Sequence, residues 1–104
     1  MDIQQLTEQI NRFVTAKGWY QTDSPFAQTQ RNIATSVAIE AAEVLEHFQF
    51  GEKASDPQAL AGELADVAMY LFQLAYLTDI DLEQAILKKL QVNYARTWES
   101  PSQE

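Results

Sequence analysis

The chain has 104 residues, of which 46% are hydrophobic, and its 15 acidic and 7 basic residues give a formal net charge of -8. This length suits one domain whose core buries only about two-thirds of the unfolded surface, so we expect stability to depend partly on a partner subunit. The negative charge disfavours binding to a nucleic-acid backbone or an anionic membrane. The lack of cysteine and the single histidine exclude disulfides, thiolate chemistry and the usual zinc sites.

The N-terminal segment MDIQQLTEQINRF is polar and amphipathic, unlike a secretory signal, and no stretch approaches about 18 uninterrupted apolar residues. We therefore expect a soluble, cytoplasmic protein that binds neither nucleic acid nor membrane. A nucleotide stays compatible with the negative charge, because a metal ion can join its phosphates to protein carboxylates.

The first half of the chain contains two predicted helices. Apolar residues recur at intervals of three or four over roughly residues 2 to 17, which predicts an amphipathic helix that ends at Gly18. The segment 19–30 mixes proline, serine and threonine with aromatic residues and is predicted to be an ordered loop. The second helix is predicted to run from about residue 31 to residue 50 and to end at Gly51.

The second half contains two more predicted helices. Asp56 is a good N-cap with Pro57 at the first helical position, and this third helix is predicted to continue to about Thr78. Asp79 or Asp81 can cap the fourth helix. Its inward-facing residues are predicted to be Leu82, Ala85, Ile86, Leu90 and Tyr94.

No segment alternates with a period of two for long enough to predict a strand. Short connections between the last three helices favour antiparallel neighbours, so the expected fold is an all-α, four-helix antiparallel bundle that forms an oligomer. We assign residues 1–98 to a single domain and expect residues 99–104 to be a frayed C-terminal tail.

The candidate functional residues are two acidic pairs, Glu40 with Glu43 on the second helix and Glu63 with Asp66 on the third. Residues three apart share a helix face, so each pair presents two adjacent carboxylates. Small and apolar residues surround both pairs, without a lysine three or four positions away to neutralise them. Clustered carboxylates suit hard divalent ions, Mg²⁺ first, and the alternative is a solvated acidic face.

Two further residues, His47 and Glu46, lie near the first acidic pair. A di-iron bundle requires Glu-x-x-His motifs on two helices, whereas His47 lies four residues after Glu43 and has no predicted function. Glu46 lies near the end of the second helix and is either a solvent-facing charge or an outer ligand.

The chain resembles the all-α nucleoside triphosphate pyrophosphohydrolases of the MazG-like superfamily, and within it the dCTP pyrophosphatase type. The resemblance rests on RNIATSVAIEAAEVLEHFQF, ELADVAMYLFQLAYLTDIDLEQAI and KLQVNYAR, which follow the family's E-x-x-E, E-x-x-D and lysine-asparagine-arginine segments in order. It covers most of the chain. It implies that Glu40, Glu43, Glu63 and Asp66 bind Mg²⁺ at a triphosphate, with Mn²⁺ as a substitute.

The resemblance also implies residues that contact the nucleotide. Lys89, Asn93 and Arg96 are spaced by four and three, so they share one helix face and would bind the phosphates. The alternative for Lys89 and Arg96 is that they are ordinary solvent-exposed charges without a role in phosphate binding. Tyr70 follows Asp66 by one turn and either reaches the site or packs in the core.

Aromatic residues of the first loop and of the end of the second helix contact the base in this family. Trp19 and Phe50 match these positions, although Phe50 replaces the tryptophan that relatives often carry. Asn32 keeps its place and either contacts the nucleotide or packs at the helix start. The loop before Arg31 departs from close relatives, so contacts with the base are not carried over there.

The implied reaction is Mg²⁺-dependent hydrolysis of a nucleoside triphosphate to the monophosphate and pyrophosphate, a house-cleaning activity on dCTP or a modified deoxynucleotide. Glu43 or Glu46 would orient the attacking water as base. The alternatives are a branch acting on dUTP or phosphoribosyl-ATP, and a non-catalytic nucleotide-binding or scaffold protein. The small core and the superfamily both favour a homo-oligomer, a dimer or a tetramer.

Overall fold

The computed structural model describes residues 1–98, and the predicted frayed tail at 99–104 lies outside these described residues. Four α-helices follow one another: α1 (Ile3–Ala16), α2 (Gln30–Glu46), α3 (Pro57–Leu77) and α4 (Leu82–Ala95). The described part of the chain contains no strand. The predicted all-α fold with four helices is therefore confirmed, whereas the assignment of residues 1–98 to one domain stays a prediction.

Each helix begins at a short polar side chain that accepts hydrogen bonds from otherwise unpaired backbone N–H groups. These N-caps are Asp2, Thr29, Asp56 and Asp81. Asp56 Oδ1 accepts from Gln58 N at 3.1 Å and from Ala59 N at 3.2 Å, and Pro57 follows it as predicted. Of the two candidates for α4, Asp81 is the cap.

Helices α1 and α3 end at residues with left-handed backbone conformations. Gly18 has a φ of 72°, and Trp19 N donates to Val14 O at 3.2 Å. Asp79 has a φ of 59°, and Ile80 N donates to Ala75 O at 2.8 Å. These hydrogen bonds satisfy carbonyl groups of the last helical turn. Gly18 therefore ends α1 as predicted, whereas Asp79 ends α3 rather than capping α4.

The predicted end of α2 was wrong by four residues, since the helix stops at Glu46 rather than at residue 50. The backbone after α2 forms hydrogen bonds of the 3₁₀ type, in which Phe48 N donates to Leu45 O and Gln49 N donates to Glu46 O. Ser55 N then donates to His47 O at 3.1 Å, which folds the loop back before α3. The chain reverses because this loop closes on the C-cap of α2.

Helix α3 packs against both α2 and α1, and these three helices enclose the small core. The buried residues are Val14, Ile33, Gln73 and Ala75. Helix α4 contacts α1 and buries none of its side chains. The predicted inward orientation of the apolar side of α4 was therefore wrong within this single chain, where Ile86, Leu90 and Tyr94 are 43%, 47% and 90% exposed.

The shape of the chain is extended for its length. Its radius of gyration is 16.8 Å, whereas a compact domain of this size has about 13 Å. The difference arises because α4 does not close over the other helices, so its apolar residues keep contact with solvent. An exposed apolar helix side of this kind is a typical interaction surface.

Helix α3 has the length and apolar character of a membrane-spanning helix, with a mean hydropathy of 1.2 over an 18-residue window. It is the one helix among residues 1–98 that meets these criteria. Its packing between α1 and α2, and the acidic residues Glu63 and Asp66 on it, favour the alternative of a central bundle helix.

Removal of the α3 N-cap provides a test of this fold. We expect Asp56→Ala to lower the free energy of unfolding by about 1 kcal/mol, because two backbone N–H groups lose their acceptor. Denaturant unfolding at fixed protein concentration measures this change. Asp23→Ala, at an exposed loop position, is the control and should change stability by less than about 0.5 kcal/mol. Equal effects of the two substitutions would contradict the capping role.

Candidate functional site

Packing of α2 against α3 brings carboxylates from the two acidic pairs together. Carboxylate oxygens of Glu40, Glu43 and Glu63 all lie within 4.8 Å of one another. All three side chains are partly buried. Three of the four predicted metal ligands are therefore neighbours across the α2–α3 interface.

The electrostatics of this cluster show how strongly the carboxylates repel one another. The pKa of Glu40 is raised from 4.5 to about 7, first because its protonated carboxyl forms a hydrogen bond with Glu43, and then because of burial. The charges of Glu43 and Asp66 and a hydrogen bond with Glu63 raise this pKa further. The raised pKa thus means that this carboxyl binds a proton more readily than an isolated glutamate does.

Asp66 and Tyr70 extend the cluster along α3. Asp66 is close enough to Glu40 for its charge to raise the pKa of that carboxyl, although it lies outside the group of three. Burial raises the pKa of the Tyr70 hydroxyl, and the charges of Glu40 and Asp66 raise it further. Tyr70 is therefore a neutral hydrogen-bonding group beside the acids, and its role at the site, rather than in core packing alone, stays a prediction.

The donor atoms of the cluster fit a divalent metal ion. Glu40 Oε2 and Glu63 Oε2 are buried and have no hydrogen-bond partner among the described residues. Unpaired buried carboxylate oxygens are unfavourable unless a cation or proton compensates them. Oxygen ligands of this type suit Mg²⁺ or Mn²⁺.

Two neighbouring residues differ in their relation to the cluster. His47, the C-cap of α2, places Nε2 at 3.9 Å from Glu63 Oε1, and it is the one basic group within ion-pair distance of the acids in residues 1–98. Sequence reasoning gave it no function. Glu46 is exposed and does not belong to the carboxylate cluster.

A cavity of about 410 Å³ lies beside the acids, between α1, the first loop, α2 and α3. Trp19, Asn32, Asp66 and Tyr70 are among the residues that line it. The cavity thus joins three of the predicted nucleotide-binding residues to one of the predicted metal ligands. A second cavity of about 450 Å³ lies between α1, the end of α3 and the start of α4, and none of the four acids lines it.

The aromatic wall of the first cavity is built by the loop between α1 and α2. The ring of Trp19 meets the ring of Phe13 edge-on at 5.5 Å and the ring of Phe26 at 5.7 Å. Phe26 was not predicted as a site residue. Aromatic rings beside an open cavity can stack on a planar ligand.

Sequence reasoning also missed Gln73, which lines the same cavity and is 2% exposed. Its Nε2 donates to Gln28 Oε1 at 2.7 Å and to Tyr20 Oη at 3.3 Å. A signal was present in the sequence, because Gln73 follows Asp66 by seven residues and Tyr70 by three, which places all three on one side of α3.

The predicted phosphate-binding residues are not joined to the acids within the single chain. Lys89, Asn93 and Arg96 belong to α4 or its end, and α4 contacts α1 rather than the α2–α3 interface. Asn93 Oδ1 is buried without a partner among the described residues, and the guanidinium of Arg96 lies 4.2 Å from the ring centre of Trp98. Phe50 is 88% exposed and does not line the aromatic cavity.

Comparisons with known proteins agree with this arrangement. The chain is 33% identical over 93 residues to dCTP pyrophosphatase 1 of Mus musculus and to that of Bos taurus. Each alignment covers 81% of this chain and 52% of the relative, so the chain spans about half the length of the curated relatives it matches. No family model matches the chain.

A solved structure matches over nearly the whole fold. The crystal structure of a pyrophosphatase from Archaeoglobus fulgidus aligns with 93% of this chain and 93% of its own, with a TM-score of 0.73 and 27% sequence identity. The helical fold, the two facing acidic pairs and these likenesses agree with one another. These likenesses in sequence and in fold support a place for the chain among the MazG-like, all-α nucleoside triphosphate pyrophosphatases.

Proposed function

We propose that this protein hydrolyses a nucleoside triphosphate between its α and β phosphates, giving the monophosphate and pyrophosphate. The observation that carries the proposal is the convergence of Glu40, Glu43 and Glu63 within 4.8 Å, next to an aromatic cavity of about 410 Å³. Such a cavity is large enough for a nucleoside. The role we propose is the removal of a deoxynucleotide, dCTP or a modified one, from the cytoplasmic pool.

The metal would be held by Glu40, Glu43 and Glu63, with Asp66 beside them. When bound, Mg²⁺ polarises phosphoryl oxygens, neutralises the leaving pyrophosphate and lowers the pKa of water. The two unpaired buried oxygens of Glu40 and Glu63 support this assignment, since they require a positive partner.

The protein side chains have separate tasks in this proposal. Trp19 and Phe26 hold the base in the cavity, which places the phosphates toward Asp66 and the other acids. Glu43 is better placed than Glu46 to accept the proton of the attacking water, because Glu46 is exposed outside the cluster. The Tyr70 hydroxyl stays protonated at neutral pH and can donate a hydrogen bond to a phosphate oxygen.

Lys89, Asn93 and Arg96 complete the proposed site from α4. Because this helix leaves its apolar side exposed, we propose that it joins the catalytic arrangement when two or more chains associate as a dimer or a tetramer. Lysine and arginine would then stabilise the negative charge on the phosphates.

Carboxylate substitutions test the reaction. We expect Glu40→Gln and Glu63→Gln each to lower kcat/KM for pyrophosphate release from a deoxynucleoside triphosphate by at least about a hundredfold, because a ligand is lost from the metal site. A coupled assay that distinguishes pyrophosphate from orthophosphate, run with and without Mg²⁺, measures this. Glu8→Gln, at an exposed position of α1, is the control and should keep the wild-type rate. Unchanged rates in both cluster variants would refute the site.

Metal binding should depend on pH through Glu40. Its pKa of about 7 in the metal-free protein means that Mg²⁺ must displace a proton, so affinity rises as pH increases through 7. Between pH 6 and 8 we expect a gain of roughly tenfold in the association constant, measured by isothermal titration calorimetry. Glu40→Gln should bind more weakly and lose most of this pH dependence. A wild-type affinity that stays constant over this range would contradict the assigned proton.

The oligomer can be tested through α4. We expect the wild-type protein to scatter light as a dimer or a tetramer at micromolar concentration, and Leu90→Asp to shift it toward the monomer, because the substitution places a charge on the exposed apolar side. Gln58→Asp, an exposed position at the start of α3, is the matched control for the added charge. A monomeric wild-type protein would overturn this part of the proposal.

A further inference from the structure

Gln73 is an exception among the interior residues, because it is the one buried polar residue within residues 1–98, with 2% of its surface exposed. Burial of an amide is costly unless its donors and acceptor are paired. Both hydrogens of its amino group have partners, Gln28 Oε1 at 2.7 Å and Tyr20 Oη at 3.3 Å. Its carbonyl oxygen Oε1 receives no hydrogen bond from the described residues.

The orientation of the Gln73 amide is fixed by a chain of hydrogen bonds that starts at a backbone carbonyl. Phe26 O can only accept, so Gln28 must direct its Nε2 toward it, at 2.6 Å. Gln28 Oε1 then faces Gln73 and requires its amino group. Tyr20 Oη accepts from the same amino group and donates its proton to Asn11 Oδ1. The opposite orientation of Gln73 would place two acceptors against each other.

The oxygen Oε1 of Gln73, which has no partner among the described residues, belongs to a residue that lines the cavity. Three side-chain atoms of the described chain are shielded from solvent and lack a hydrogen-bond partner: Glu40 Oε2, Glu63 Oε2 and Asn93 Oδ1. Gln73 Oε1 also lacks a partner there but does not belong to this group, so it keeps some contact with solvent. Gln73 lines the aromatic cavity and is 2% exposed, which agrees with a position of Oε1 at the surface of that space. A buried acceptor of fixed direction therefore lies in the wall of the proposed base site.

Two neighbouring polar groups of the wall, those of Asn32 and Ser36, already donate hydrogen bonds within the protein. The Asn32 amide donates to Ala27 O at 2.9 Å, and the Ser36 hydroxyl donates to Asn32 O at 3.1 Å. The Tyr70 hydroxyl is a donor in the same cavity, and we assign it to a phosphate oxygen, whereas Asp66 and Gln73 Oε1 are acceptors. An amino group on a ligand fits such a wall, whereas an oxo group would meet Gln73 Oε1 with two lone pairs facing each other.

We propose that Gln73 is a specificity-determining residue that accepts a hydrogen bond from an amino group on the base, and so selects amino bases over their oxo counterparts. This inference rests on the proposed function for the identity of the ligand as a nucleotide. Gln73 acts as a fixed reader because Gln28 and the backbone of Phe26 prevent its amide from turning over. A site with a hydrogen-bonding group of fixed direction discriminates more strongly than an apolar pocket of the same shape.

The test uses cytosine and uracil nucleotides, which differ in an amino group and an oxo group at the same ring position. Binding of dCMP and dUMP is measured by isothermal titration calorimetry, which does not depend on hydrolysis. We expect the wild-type protein to bind dCMP roughly tenfold more tightly. Gln73→Met, an unbranched side chain of similar length, should weaken dCMP binding about tenfold and change dUMP binding by less than about twofold.

Tyr20→Phe is the matched control. It removes one partner of the Gln73 amino group but keeps the anchor through Gln28, so the preference for dCMP should stay within about twofold of the wild-type value. A merely structural role of Gln73 predicts instead that Gln73→Met weakens both nucleotides alike. Equal weakening of both nucleotides by Gln73→Met would overturn the inference. A wild-type protein that binds dUMP as tightly as dCMP would also overturn it. If Gln73→Met does not fold, the comparison of the two nucleotides on the wild-type protein decides.

Hydrolysis of dCTP and dUTP is measured in parallel and separates the two proposals. Discrimination between dCMP and dUMP without pyrophosphate release from any nucleotide would support Gln73 as the reader and refute the proposed reaction. Pyrophosphate release at equal kcat/KM from dCTP and dUTP would support the reaction and refute the role of Gln73.

Discussion

The repulsion among carboxylates at the α2–α3 interface is the constraint on which this structure depends. Each helix contributes two acids one turn apart, and packing of the helices brings carboxylate oxygens within 4.8 Å of one another. The neighbouring Glu43 and burial raise the pKa of Glu40 to about 7, so a proton competes with a cation for this carboxyl. The same packing that forms much of the small core therefore also creates the demand for a positive charge.

Helix α3 extends from the acidic cluster to the neighbouring cavity. Asp66, Tyr70 and Gln73 follow one another at intervals of four and three along one side of the helix, from the acids to the interior wall of the cavity. The hydroxyl of Tyr70 responds to the charges of Glu40 and Asp66, whereas Gln73 is tied to the first loop through Gln28. Helix α3 thus fixes the distance between Asp66, at the proposed phosphate site, and Gln73, which we propose contacts the base.

The parts of the fold that depend on local sequence were predictable. N-caps such as Asp56, the stop at Gly18 and the two acidic pairs follow from short-range rules, because their hydrogen bonds and spacing lie within a few residues. The end of α2 was not predictable in this way, since it depends on the return of the loop to His47 O. The exposure of α4 was missed because an apolar helix side predicts burial, whereas burial also requires packing against other helices, and α4 buries none of its side chains.

The same distinction holds for the candidate site. Glu40, Glu43 and Glu63 were predicted as a cluster from spacing and from the family pattern, and the structure brings them together. Gln73 was missed because its importance arises from a hydrogen bond between α3 and a loop 45 positions earlier in the chain, and Phe26 because it matters through its ring contact with Trp19. Periodicity reports which side of a helix a residue occupies, but it does not report a hydrogen-bond network formed across the fold.

A crystal structure with Mn²⁺ would test the central claim most directly, through anomalous scattering of the metal. We predict an anomalous peak at the α2–α3 interface, at bonding distance from carboxylate oxygens of Glu40, Glu43 and Glu63. The same crystals of Glu63→Gln should show a weakened peak or none. A wild-type crystal in which the peak is absent, or lies away from these carboxylates, would contradict the account.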